Sequence, residues 1–243
     1  MTVCVKHPKF IHTFKQHWPF AQQLQGCTLV STRFDQQQLT DEDFINAGVP
    51  APNAMRKRQA EYLSARLCAR EALRIQTGQA GLPTQQADTR APSWPQHTCG
   101  SISHSHGISA AIIGDSVHWR SLGMDIEKPI KLERAERLSN TILTATEQEH
   151  FKHLDPQHAA WYLTYVFSLK ESLFKALNPL TGVYFTFQDA QVLNCVSAES
   201  GSTQLRLCKQ LSSAWPAGSQ LSGHFARLHG SAITLVTVPV DTV

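Results

Sequence analysis

Residues 161–179, WYLTYVFSLKESLFKALNP, carry the clearest periodicity in the chain. At about 100° of turn per residue, Tyr162, Val166, Leu169, Leu173, Ala176 and Leu177 form one apolar stripe, and Leu163, Phe167 and Phe174 form a second beside it. The spacing predicts a helix meant for burial. On the same wheel Lys170 falls between the stripes, Glu171 lies on their border, and Lys175 is one turn beyond Glu171. An ionised side chain taken out of water without a counter-charge is costly, so a metal ion, a phosphate or an opposite side chain should meet these groups. An internal Glu171/Lys175 pair at i, i+4 on a solvated flank would also satisfy them, and both readings stay open on these residues alone.

Working outward, residues 144–147 (TATE) are a capping-box signature for a short helix, and residues 132–139 suggest another before it. Upstream, residues 100–106 (GSISHSH), 108–114 (ISAAIIG) and 123–127 (GMDIE) read as three successive strands, with residues 120–122 as the crossing between two lobes. Downstream, residues 183–193, 203–208, 220–228 and 232–238 are strand candidates. Nearer the N-terminus, residues 27–34 suggest a strand, 41–47 a short helix, and 55–77 a long helix stopped by Gly78. Arg56, Lys57, Arg58, Arg66, Arg70 and Arg74 make that helix the most basic element; a solvated face with Glu61 and Glu71 as partners is its plain reading. Residues 81–99, rich in Pro, Gln and Thr around RAPSWP, read as a loop. No fixed-period repeat is visible, yet both halves read as a helix followed by antiparallel strands, split into residues 1–119 and 120–243.

Composition narrows the function classes. Of 243 residues 42% are hydrophobic and 17% charged, an ordinary globular balance without a disorder-like charge excess. No apolar run reaches the roughly 18 residues of a membrane span, and the N-terminal residues lack the apolar core of a secretory signal, so a cytoplasmic protein is expected. Six scattered cysteines without a C-x-x-C pair argue against a zinc ribbon or a disulfide scaffold and read as reduced, mostly buried thiols. A net charge of +3 is too small for strong nucleic-acid binding; an acidic protein partner or a polyphosphate ligand suits it better.

Three constellations carry chemistry. On a strand, Asp125 and Glu127 share a face about 6.5 Å apart, so both carboxylates can reach one hard cation such as Mg²⁺, although D-x-E is more often a solvated strand face. Ser103 and His104 at a strand end before Gly107 suit a phosphate contact. No G-x-S-x-G elbow supports a serine hydrolase, and a zinc site from His104, His106 and Asp125 would lack the usual ligand spacing. Glu171 adds a third carboxylate flanked by Lys170 and Lys175, an arrangement for phosphoryl-type transfer, while no Walker loop is present.

In this order, GSISH, GMDIE and FSLKESLFKAL resemble the 4′-phosphopantetheinyl transferases of the Sfp and enterobactin-synthetase type, and the likeness extends over about residues 55–195 through KRQAEYLSARLCAREAL, RAPSWP and LTGVYFTFQDAQV. The resemblance implies an α+β pseudo-dimer of two similar lobes, each a helix packed on a small antiparallel sheet, with coenzyme A and Mg²⁺, or Mn²⁺, between them. It implies Asp125, Glu127 and Glu171 as metal ligands and Glu171 as general base. Ser103, His104, Lys170 and Lys175 become contacts to coenzyme A, with Lys175 and His104 also offsetting charge on the leaving group. Arg58, Arg66 and Arg90 would hold coenzyme phosphates. The implied partner is an acidic apo acyl or peptidyl carrier protein, met by a monomer with internal pseudo-symmetry. Met124 and Ala65 depart from the usual isoleucine or valine and glycine of that pattern. A metal-dependent hydrolase using His104, His106 and Asp125, or a non-catalytic carrier-binding module, are the alternatives.

Overall fold

The computed structural model describes residues 7–85, 92–194 and 199–240. In chain order the strands are β1 (Lys15–Gln16), β2 (Cys27–Arg33), β3 (Thr84–Gln85), β4 (Pro92–Ser93), β5 (Thr98–Ser105), β6 (Ile108–Asp115), β7 (Trp119–Glu127), β8 (Ala190–Val192), β9 (Ser200–Leu207), β10 (Gln220–Leu228) and β11 (Ser231–Pro239). The helices are α1 (Asp41–Ala47), α2 (Arg56–Thr77), α3 (Leu132–Ile142), α4 (Ala145–Lys152) and α5 (Pro156–Thr181). The two larger antiparallel sheets have the orders β1-β2-β6-β5 and β7-β11-β10-β9-β8, and β3 pairs with β4 as a separate two-stranded ribbon inside the segment expected to be a loop. The chain passes from the first to the second in the turn at residues 116–118, so Arg120 already lies within β7.

Strand alternation sorts the side chains into layers. Val30, Ala111 and Ile113 face α2, which packs Cys68, Ala69, Ala72 and Leu73 against them. Leu29, Ala110 and Ile112 face the other way and meet Leu122, Met124, Ile126, Ile233 and Leu235 between the two sheets. The far side of the second sheet offers Leu205, Leu221, Phe225 and Val236 to Leu169, Leu173, Ala176 and Leu177 of α5. Each fully buried leucine of this kind contributes about 1.5–3 kcal/mol. The stack is therefore α2, sheet, sheet, α5, an α+β architecture in which each half sets one long helix on an antiparallel sheet. α5 begins where Asp155 accepts from the amides of Gln157 and His158, with Pro156 at the first helical position, and ends at Gly182 with φ 65°.

Gly123 decides how close α5 comes. A Cβ at that position would lie 1.9 Å from Ser172 O and 2.5 Å from Ala176 N, so only hydrogen fits between strand and helix. This contact brings the α5 side chains at 168, 171 and 175 beside Asp125. The two sheets also meet edge to edge along β5 and β7, each the last strand of its sheet. There Ser101 Oγ accepts from Met124 N at 2.9 Å and Ser103 Oγ from Ile126 N at 3.1 Å, so serine hydroxyls satisfy amides that have no neighbouring strand.

Most expected elements form within a few residues of their predicted bounds. Residues 183–193 do not form one strand. Only Ala190–Val192 pairs with β9, and Phe187–Asp189 is a 3-10 turn. Asp189 Oδ2 takes hydrogen bonds from both Thr186 N and Thr186 Oγ1, and this local cap competes with the ladder. Cys68 and Cys99 are buried free thiols, Cys27 is half-buried and Cys208 exposed, while Cys4 and Cys195 lie outside the described residues. No helix among the described residues is long and apolar enough to cross a membrane.

Candidate active site

A cavity of about 630 Å³ opens between α2, β5, the start of β7 and the last turns of α5. Arg58, Arg66, Arg120 and Lys175 line it, and Asp125 is the acidic residue among its walls. Tyr62, Trp94 and Phe174 add aromatic surface. Such a lining suits a ligand that carries several negative charges at one end and apolar or ring atoms elsewhere.

On the α2 wall, Arg58 Nη1 donates to His104 Nε2 at 2.8 Å, and Glu61 lies against both. Burial pushes His104 down to about 4; Glu61 opposes that shift, while Arg58 and Lys175 add to it. The Arg66 guanidinium stacks on Tyr62, 3.5 Å from the ring centroid, and burial lowers its proton affinity. Arg90 lies outside the described residues. Ser103 lines the cavity, but its hydroxyl is committed: it donates to Asp125 Oδ1 at 3.0 Å and accepts from Ile126 N and from Lys175 Nζ.

Asp125 is 6% exposed and held at both oxygens. Oδ1 accepts from Lys175 Nζ at 2.7 Å and Oδ2 from Ser168 Oγ at 2.9 Å. Behind it Ser168, Thr234 and Ser172 form a chain of buried hydroxyls. Lys175 also donates to Met124 O at 3.1 Å. Its carboxylate partner is thus Asp125 on the neighbouring strand, and the i, i+4 pairing with Glu171 does not form.

Glu127 and Glu171 are half-buried. Burial raises Glu127 to about 7, with Asp125 and Glu171 raising it further and Lys175 opposing. Glu171 is raised by burial first and then by Asp125, again against Lys175. The three carboxylates therefore crowd one another electrostatically, and an all-oxygen donor set of this kind suits a hard divalent cation. As arranged, no group of three His, Cys, Asp or Glu side chains among the described residues converges at metal-binding distance, since Asp125 is spent on Lys175, Ser103 and Ser168. That covers the set His104, His106 and Asp125 as well; Arg58 occupies His104 Nε2, and His106 bonds Ser105 Oγ at the turn.

The raised carboxyl has a consequence for stability. A folded value above the unfolded one favours the fold fully below the unfolded value and is lost as pH rises through the folded one. Ordinary histidines titrate at about pH 6.5, inside the same window, so the Glu127 contribution is the difference from a variant without the carboxyl. The melting temperature of wild type is expected to fall further than that variant's as pH rises to about 7, the value Glu127 reaches, and the difference to level off above it. Thermal melts at several pH values, with Glu127→Gln as the comparison, check this. An equal slope in that variant would assign the effect elsewhere.

Residues 47–114 match the 4′-phosphopantetheinyl transferase N-terminal domain, and residues 121–236 match the 4′-phosphopantetheinyl transferase superfamily. Enterobactin synthase component D of Escherichia coli (strain K12) is 32% identical over 178 residues, which cover 72% of this chain and 80% of that one. The chain belongs to the 4′-phosphopantetheinyl transferase superfamily. The 4′-phosphopantetheinyl transferase Npt of Nocardia iowensis is 31% identical, over 61% of this chain and 66% of that protein. The 4′-phosphopantetheinyl transferase Svp of Streptomyces mobaraensis is 32% identical, over 63% of this chain and 61% of that protein.

Against this family background one expected ligand contact needs correction. Lys170 does not line the cavity. It is 2% exposed, and its ammonium donates to Glu147 Oε2 at 2.7 Å, Ile142 O at 2.8 Å and Phe187 O at 2.9 Å. Three donors meet three acceptors, so no hydrogen is left for a phosphate. Glu147 in turn closes the α4 capping box with Thr144 and accepts from Val192 N. Lys170 thus ties α5 to α3, α4 and the 3-10 turn at Phe187–Asp189, and Glu147 carries the link on to β8.

Sequence reasoning missed Arg120, Ser168, Ser172 and Thr234. The two serines at i, i+4 in a helix expected to be buried were a usable signal, because buried hydroxyls need partners. Arg120 and Thr234 had no spacing that marked them.

Proposed function

We propose that this chain transfers the 4′-phosphopantetheine arm of coenzyme A to a serine of an acyl or peptidyl carrier protein. The cation-lined cavity ending on Asp125 and Lys175 carries this reading, because it offers a diphosphate several positive partners beside carboxylates able to manage a proton. Glu171, held ready to accept by burial and by Asp125, takes the serine proton. The serine oxygen then bonds to the β-phosphorus, and the bond from that phosphorus to the bridging oxygen breaks, so the electron pair leaves on 3′,5′-ADP. Arg58, Arg66 and Lys175 hold phosphate oxygens, and Lys175 and His104 offset the charge that develops on the leaving group. Asp125, Glu127 and Glu171 would hold Mg²⁺ or Mn²⁺, which would supply further positive charge to the diphosphate.

The direct test is intact mass spectrometry of apo carrier proteins incubated with the chain, Mg²⁺ and coenzyme A. The expected result is a shift equal to one phosphopantetheine arm, together with release of 3′,5′-ADP. Unchanged masses across fatty-acid, polyketide and peptide carriers would defeat the proposal.

A further inference from the structure

The contact between Arg58 and His104 fixes the place of a proton. A guanidinium has no acceptor, so at 2.8 Å Arg58 Nη1 must donate to His104 Nε2, and the neutral ring carries its own hydrogen on Nδ1. Nδ1 faces Glu61 Oε2 at 3.6 Å, and the same oxygen lies 3.4 Å from Arg58 Nη1. The Glu61 side chain is 12% exposed and that of Arg58 61% exposed. An enclosed carboxylate therefore serves both a ring on the cavity wall and a cation free to swing toward a ligand. An ionised phosphate oxygen accepts hydrogen bonds only, and His104 Nε2 has nothing to donate while Arg58 occupies its lone pair.

We propose that Glu61 is a positioning residue for phosphate binding: when a phosphate of coenzyme A draws Arg58 away, His104 takes one proton from solvent at Nε2, and Glu61 balances the imidazolium at Nδ1. This rests on the coenzyme A reading above. The charged groups facing the ring are Glu61 and Arg58 from α2, Lys175 from α5 and Asp125 from β7. Arg58 and Lys175 disfavour the charged ring, and a bound phosphate replaces part of that repulsion with attraction. Asp125 is spent on Lys175, Ser103 and Ser168, which leaves Glu61 as the carboxylate within ion-pair distance of the ring among the described residues.

Calorimetric titration of the full chain with coenzyme A, and separately with 3′,5′-ADP, tests this in buffers of different ionisation heat between about pH 5.5 and 7.5, where proton linkage is readable. The phosphomonoester of the ligand itself titrates near pH 6, so the quantity read is the difference between variants. Wild type is expected to take up more protons per ligand than His104→Asn, by up to one. Glu61→Gln is expected to fall to the His104→Asn level and to lose the gain in affinity at lower pH, whereas Glu61→Asp keeps part of both. A folded Glu61→Gln, or Glu61→Asp and His104→Asn together, with proton uptake equal to wild type overturns the inference and leaves the transferase reading standing. Wild type that binds neither ligand removes both.

Discussion

Replacing Lys170 by methionine is expected to lower the unfolding free energy by about 3–5 kcal/mol, the cost of leaving one member of a buried ion pair alone. At roughly 2–4 °C per kcal/mol for a chain of this size, the melting temperature should drop by roughly 6–20 °C. The reason is local. Both side chains of the Lys170–Glu147 pair are 1% exposed, and Glu147 would keep its charge among apolar neighbours with only Thr144 and Val192 amides and the Thr144 hydroxyl to offset it. Two backbone carbonyls, Ile142 O and Phe187 O, would also lose their donor. The double change Lys170→Met, Glu147→Gln should recover most of the loss, because no uncompensated charge then remains. Urea unfolding of the two single variants and the double variant measures the coupling. Lys170→Met with an unchanged melt and a tenfold weaker grip on coenzyme A would return Lys170 to the ligand site.

Glu171→Gln is expected to reduce the rate of carrier modification by about 10²–10⁴-fold, the usual loss on removing a general base, while coenzyme A affinity stays within a few-fold of wild type. Glutamine keeps the shape and loses the proton acceptor. The environment supports the assignment: burial and the nearby Asp125 raise the Glu171 carboxyl, which strengthens it as an acceptor, and Lys175 moderates the effect. Saturating coenzyme A and carrier separate turnover from binding. A variant that turns over at the wild-type rate removes Glu171 from the role of base, and one that fails through weak coenzyme binding makes it a ligand contact instead.

The chain's periodicities were strong enough to read most of its elements. α2 follows from its apolar side and the glycine at 78, and β11 from its β-branched, alternating run. The Asp125/Glu127 register follows from the two-residue repeat of a strand. The segment after α5 failed because its β-branched and aromatic residues satisfy a strand pattern, while the Thr186/Asp189 cap that bends it is a local bond that propensity does not weigh.

What residues 161–179 determined by themselves was a buried helix carrying three charges that each required a partner. Which partner each one found was decided by tertiary structure. Lys170 and Lys175 sit on the same helix with the same chemistry, yet one closes on Glu147 in the core and the other reaches Asp125 at the cavity. Helical spacing states the angle of a side chain about its own axis, but the partner stands on another element, 23 residues away for Lys170 and 50 for Lys175. The approach of α5 to β7 across Gly123, which no single-chain pattern encodes, sets which carboxylate is within reach.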